Sequence, residues 1–215
     1  MKIVIIGGRG NGTVVASTIE DCRKAGQDIE CVGFLNDNEK EINGYPVLGN
    51  ISYQTIKDLP ADFKFIFAMS NIKQASERYQ MLQMLDITRE RYATVIHPTA
   101  VVSDKAELGC GVVLMPLTLV SPDVTLGDHT QLYAQSFVGH DTNVGEMVFV
   151  ANNASIGGRI TIDKGAHIGS NSSIVERLHI GEFSIVGLGA VVLQDVAPYE
   201  KAVGNPARII GKVEP

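Results

Sequence analysis

From Ile96 to Val192 the chain carries an aliphatic residue at every sixth position, through Val102, Leu108, Leu114 and onward, for seventeen hexads without a slip of register. Eight of the residues that follow an anchor (+1) are glycine: 109, 127, 139, 145, 157, 169, 181 and 187. The residue four after the anchor (+4) is mostly small or β-branched, as at Ala106, Val112, Thr118, Ser136, Thr142 and Ala154. Period six is neither the 3.6 of a helix nor the alternation of a flat sheet. It is a short strand plus a corner. The +4 residue and the next anchor lie two apart and point to the same side of the strand, and positions +1 to +3 turn the chain. Glycine at +1 is expected to relieve a turn conformation that a Cβ resists. Three such strands close one triangular coil of 18 residues, stacked on the next at about 4.8 Å by ladder hydrogen bonds. The repeat excludes a helical bundle and an ordinary sandwich, and points to a parallel β-helix of nearly six coils.

The first ninety residues follow a different pattern. Ile3-Val4-Ile5-Ile6 is the apolar run of a buried parallel strand. It leads into Gly7-Gly8-Arg9-Gly10-Asn11-Gly12 and then a helically spaced stretch over Thr13–Ala25. Strand, glycine-rich turn and helix form a phosphate cradle, although glycines at 7, 8, 10 and 12 are not a strict GxGxxG, and tight strand-to-helix turns use glycine anyway. Glu30–Leu35 reads as a second strand ending in Asn36-Asp37-Asn38, where such folds meet a ribose or base; a solvated Asn/Asp turn explains the same residues. Tyr45–Gly49 reads as a loop, Phe63–Met69 as a third buried strand ending at Ser70-Asn71, and Gln74–Leu85 as a helix. A strand near Tyr92–Ile96 then feeds the first coil. The division expected is residues 1–92, a Rossmann-like domain, and residues 93–215, a β-helix with a C-terminal tail.

The repeat resembles the hexapeptide-repeat family of left-handed β-helices; the handedness comes from the resemblance, not from the spacing. Gly204-Asn205-Pro206-Ala207-Arg208 looks like the G-x-P-A-[KR] tail of hexapeptide acyltransferases. Together with Ile5–Gly12, Gly33–Asn38, Gly44–Gly49, Ala68-Met69-Ser70-Asn71, Arg78 and Ile96-His97-Pro98, the chain resembles bacterial sugar O-acyltransferases of the NeuD/PglD type. That resemblance implies acetyl-CoA as co-substrate, a nucleotide-sugar acceptor, and a homotrimer with active sites between subunits. It places Gly10, Asn11, Gly12, Asp37, Ala68 and Ser70 around the acceptor nucleotide, and Ser170, Leu188 and Arg208 near CoA. One departure is Asn11, where the family often carries histidine.

Acetyl transfer from a thioester needs a base for the nucleophile, donors for the developing oxyanion and a hold on CoA. No Gly-x-Ser-x-Gly elbow is present, and Cys110 has no histidine assigned to it, so direct attack by the acceptor is the simpler chemistry. Among five histidines, His140 is followed by Asp141, at a corner position; a carboxylate beside an imidazole fixes its tautomer. The resemblance assigns His140 as general base with Asp141 as its partner. Residues 18 apart stack, so Gly158 lies one coil above His140, offering a backbone N–H as oxyanion donor, and Arg159 and Arg177 rise above Asp141. Amino-sugar members can carry a second histidine nine residues after the first; here that position is Phe149, leaving backbone amides, Asn152 or Asn153 for the acetyl carbonyl. His97 is expected to cap the first coil, and His167 and His179 to be solvated.

The activity expected is N-acetylation of a 4-amino-sugar nucleotide, with O-acetylation of sialic acid or another sugar as the alternative. A zinc hydratase of the same fold needs paired histidines about five apart, and gaps of 32, 11, 27 and 12 do not supply them; no metal is expected. Net charge of −6 does not suit nucleic acid. Three cysteines, 22, 31 and 110, form no disulfide framework, and no apolar run is long enough to span a membrane or serve as a signal peptide; a cytoplasmic protein is expected.

Overall fold

The computed structural model describes residues 1–70, 72 and 74–213; Asn71 lies outside the described residues. The first module is a five-stranded sheet in the order β3-β4-β2-β1-β5. Its strands are β1 (Lys2–Ile6), β2 (Glu30–Leu35), β3 (Glu41–Ile42), β4 (Tyr45–Gly49) and β5 (Lys64–Phe67), with helices α1 (Asn11–Lys24), α2 (Tyr53–Asp58) and α3 (Ala75–Met84). β1 pairs in parallel with both β2 and β5, and β2 with β4. The alternation along β1 feeds two cores: Ile3 and Ile5 pack with α1, while Val4 and Ile6 pack with Ile56 of α2 and Leu82 of α3. Tyr45–Gly49 is therefore a strand, not a loop. Its register with Phe34 and Leu35 is bulged, and Pro46 is tolerated because this segment lies toward the sheet's rim.

The second module is the expected left-handed parallel β-helix. Two-residue strands recur every six residues and pair with partners 18 residues away, as Leu119 pairs with Phe137 and Phe137 with Ser155. Anchors and +4 residues together form one continuous core from Val112 through Ala207. The +4 hydroxyls satisfy themselves locally: Thr118, Ser136 and Ser172 each donate to the carbonyl three residues back. The last coil is closed by an antiparallel hairpin of Glu200–Val203 and Arg208–Lys212.

The corner chemistry differs from the expectation. Every +3 position from Gly111 to Gly189 adopts a left-handed conformation, with φ between 51° and 70°, and most of these residues are not glycine. The +1 glycines do not. They are small because the coils touch there: a Cβ at Gly127, Gly139, Gly145, Gly157 or Gly169 would stand 2.5–2.8 Å from backbone atoms of the next coil. Glycine at +1 serves close approach, and the +3 residue absorbs the turn at a cost on the order of 1 kcal/mol each.

The three faces of the prism carry different outward columns. The face built on Ile96, Leu114 and Leu132 lies against the first module: Val113, Met115, Tyr133 and Phe149 share a core with α1. The buried Gln131 Nε2 donates to Phe67 O at 2.7 Å across this seam. The next face, a bare one, presents Val101, Leu119 and Phe137, all exposed. The third presents Glu107, Thr125, Asn143, Thr161 and His179.

These two uses of glycine give a direct test. Gly127→Ala is expected to destabilise the protein by about 1–3 kcal/mol through overpacking. Gly189→Ala, with φ +65° but nothing within 4 Å of its Cβ, should cost no more than about 1 kcal/mol. Thermal unfolding of the two variants checks the order, and equal losses would contradict the close-approach account.

Candidate functional site

His140 stands on the corner between the bare and polar faces. Its Nδ1 is 2.7 Å from Asp141 Oδ2, and both side chains are half exposed. Asp141 occupies a +3 position with φ 56°, so the turn itself swings its carboxylate back toward the preceding residue. The His140 hydrogen bond, and then the charges of His140 and Arg159, hold the Asp141 carboxyl below its ordinary value. Arg159 lies 3.7 Å from Asp141 and 3.3 Å from Glu176. Gly158 is directly over the imidazole: a Cβ there would meet His140 Cε1 and Nε2 at 2.9 Å. The stacking inferred from the 18-residue coil is thus realised, with Arg159 N donating to His140 O at 2.8 Å.

The acceptor-side residues lie elsewhere. Gly10 is the N-cap of α1 with φ 83°, and only Gly is at ease there. Gly12 is buried in that first turn, where a Cβ would press on Phe34 at 3.0 Å. Asn11 Nδ2 donates to Ser70 O at 2.9 Å, tying the glycine loop to the end of β5, beside the buried Ala68. Asp37 is exposed and accepts from Ile51 N at 2.8 Å, while Asn36 organises the same turn by accepting from Asn38 N and Glu39 N. Arg9 of the cradle pairs with Glu39 at 2.7 Å.

Asn11, Ser170 and Leu188 come together in one cleft of about 350 Å³ between the glycine loop and the coil. Asn152, Phe149 and His167 line it too. Beneath it, a cavity of about 30 Å³ is lined by Ser70, His129, Gln131 and His167. Asp37 lines neither space. Arg208 is exposed on the terminal hairpin, where its Nη1 donates to Ala207 O, and it lines neither space either. The cleft follows the corner column of Asn152, Ser170 and Leu188; His140 and Gly158 occupy the next corner, on the far side of the bare face. Within one chain the two groups of residues do not share a cleft.

The other histidines divide sharply. His97 caps the first coil: its Nδ1 accepts from Thr99 N at 3.1 Å. His179 is exposed and bonded to Asp163 at 2.7 Å. His167 is not a free surface side chain. It is half-buried at the seam, stacked on the Phe149 ring at 4.9 Å and 7°, and desolvation pushes its pKa down to about 4. Buried His129, edge-on to Tyr92, is likewise held at about 4. The sequence signal for this burial was the column Gln131, Phe149, His167 on the module face: large side chains where the polar face shows Thr and Asn. Burial pushes the Cys110 thiol up to about 11, so it is no ready nucleophile. Among the described residues, no group of three or more His, Cys, Asp and Glu side chains gathers as a metal site, and no helix is long and apolar enough to cross a membrane.

A small α/β module followed by a left-handed parallel β-helix, with a His-Asp pair at a corner beside a glycine, is the arrangement the motifs predict. Residues 2–84 match the family described as the PglD N-terminal domain, so the resemblance read from the motifs holds. The chain is 29% identical over 144 residues to GDP-perosamine N-acetyltransferase of Escherichia coli O157:H7; this is 66% of the chain but 62% of that relative, less than two thirds of its length. The acetyltransferase domain of PglB from Neisseria gonorrhoeae FA1090, solved in complex with acetyl coenzyme A, superposes with a TM-score of 0.84 at 27% identity over 97% of this chain and 98% of that one. PerB from Caulobacter crescentus, solved in complex with CoA and GDP-perosamine, superposes with a TM-score of 0.82 at 26% identity over 98% of each chain.

The seam histidines make stability pH-dependent. An unfolded imidazole takes up a proton near pH 6.5, whereas these two resist until about 4. Between those values the unfolded chain binds more protons, so stability is full above 6.5 and is lost as pH falls toward 4. Melting temperature is expected to drop between pH 7 and 5, and a His129→Gln/His167→Gln double variant should show a flatter slope over that range.

Proposed function

We propose that this protein transfers the acetyl group of acetyl-CoA to the amino group of a nucleotide-linked 4-amino-sugar by direct attack. His140 is the general base and Asp141 its orienting partner. The observation that carries this reading is the 2.7 Å contact from His140 Nδ1 to Asp141 Oδ2, with the ring packed against the bare backbone of Gly158. With Nδ1–H donated to the carboxylate, Nε2 carries the free lone pair. It accepts the proton as the amine attacks the thioester carbonyl, and the resulting imidazolium, stabilised by Asp141, returns a proton to the departing CoA thiolate. The Gly158 amide is assigned to the developing oxyanion.

On this reading residues 1–92 hold the acceptor and residues 93–215 perform the transfer. Gly10, Asn11, Gly12, Asp37, Ala68 and Ser70 belong to the acceptor side, where the α1 N-terminus favours an anion. Ser170 and Leu188 belong to the CoA side; Arg208, which lines neither space in this chain, is assigned to CoA by the resemblance of its segment to the acyltransferase tail. The protein works as a homotrimer in the cytoplasm. Two features support the assembly: the exposed apolar column of Val101, Leu119 and Phe137 on the bare face, and the separation of the His140 corner from the cleft, which a neighbouring copy repairs.

His140→Ala is expected to lower kcat by about 10²–10⁴ with GDP-, UDP- or dTDP-linked amino-sugars, and Asp141→Asn by less. Retention of full rate in His140→Ala refutes the base, and transfer only to hydroxyl acceptors such as sialic acid turns the reading to O-acetylation. Light scattering should give about three times the 23.1 kDa chain mass. Mixing inactive His140→Ala with a cleft-blocked Ser170→Trp variant during refolding should restore activity, since hybrid trimers contain intact shared sites. No recovery would contradict shared sites.

A further inference from the structure

The cleft contains a polar group that the proposed chemistry does not use. His167 lies on the seam, lining both the 350 Å³ cleft beside Asn11, Ser170 and Leu188 and the small cavity beside Ser70. Its ring is fixed in orientation by a near-parallel stack on Phe149, itself 4.5 Å from Tyr133. Among the described residues its ring nitrogens have no hydrogen-bond partner, unlike those of His97, His140 and His179. Nor are they sealed in, since the fully buried atoms without partners are His129 Nδ1, Gln131 Oε1, Tyr133 OH and Ser184 Oγ. A rigid imidazole with open nitrogens at the junction of the acceptor wall and the CoA wall has one obvious use.

We infer that His167 is a specificity-determining residue, hydrogen-bonding an uncharged ligand oxygen where acceptor and acetyl donor meet. Desolvation keeps the ring neutral, so it offers one N–H donor and one lone pair rather than a cation. Such a group suits a sugar hydroxyl or a carbonyl and does not suit a phosphate, whose anionic oxygens call for charged or backbone donors. The Phe149 stack fixes the aim of the ring, and the hydrogen bond discriminates against acceptors that lack an oxygen at that point. This inference rests on the acetyl-transfer reading above.

The test uses two variants of the full chain. His167→Phe keeps the aromatic stack and removes both nitrogens; His167→Gln keeps a neutral donor and acceptor. His167→Phe is expected to lower kcat/KM at least tenfold with an unchanged circular dichroism spectrum and acetyl-CoA still bound, and His167→Gln to recover to within about threefold of wild type. A rise confined to the acceptor KM identifies a sugar hydroxyl; a fall in kcat with both KM values unchanged identifies the thioester carbonyl. Kinetics of His167→Phe within twofold of wild type would overturn the inference and leave the acetyl-transfer reading standing. A wild-type protein that shows no thermal shift with acetyl-CoA and no transfer to any nucleotide amino-sugar would overturn both.

Discussion

Phe137 N–H donates to Ala154 O and Gly139 N–H to Ile156 O, and the same step repeats up the whole prism. This ladder is the constraint on which everything else depends. It sets the distance between coils, and so forbids a Cβ at the +1 corners where the backbones touch. It also sets the turn, forcing the +3 residue into the left-handed region even where that residue is Asp, Phe or Arg. The His140–Asp141 pair and its close approach to Gly158 are read out of the same geometry. A +2 imidazole points outward, a +3 carboxylate folds back onto it, and whatever lies 18 residues on decides whether the ring is covered. No loop has to be ordered to build this corner, so its precision is that of a repeating scaffold.

The three outward columns assign the faces different work. The module face is covered and carries aromatic rings and neutral imidazoles. The polar face needs no partner. The bare face carries Val, Leu and Phe at strand positions where a water-facing column favours Thr or Asn. Its position between the His140 corner and the cleft corner matters more than its area. On the trimeric reading proposed above, a copy packed there brings one chain's His140 corner toward another chain's cleft, so burial of apolar surface and completion of the proposed site are the same event.

The legible part of the fold was the part governed by local repetition. Anchors, +4 residues, the strands Ile3–Ile6 and Glu30–Leu35 and the stacking of Gly158 on His140 all follow from spacing. Three features did not. Tyr45–Gly49 became a strand because the rim of the sheet had an open edge, which no local propensity records and which Pro46 argued against. The +1 glycines were assigned to a dihedral need when their cause is a contact 18 residues away. The −1 position of His167 faces outward and predicts a solvated ring, yet outward on that face means toward the other module. Each miss concerns what covers or touches a residue, information that periodicity along one chain segment does not carry.

The histidines show why the pair alone does not define a site. His179 meets Asp163 at 2.7 Å, the same separation as His140 and Asp141, and the two imidazoles are similarly exposed. A His–Asp hydrogen bond is therefore common currency on this surface. Two things distinguish His140. Its partner is the adjacent residue, locked by a left-handed turn rather than reaching across from a neighbouring coil. Its ring packs closely over Gly158, where a Cβ would stand 2.9 Å from Cε1 and Nε2, so only a residue without a side chain lets the imidazole lie there. His179 stands on a strand of the polar face and reaches Asp163 of the preceding coil. What sets the His140 pair apart is its adjacent partner and the bare glycine backbone against its ring, both held in register by the ladder.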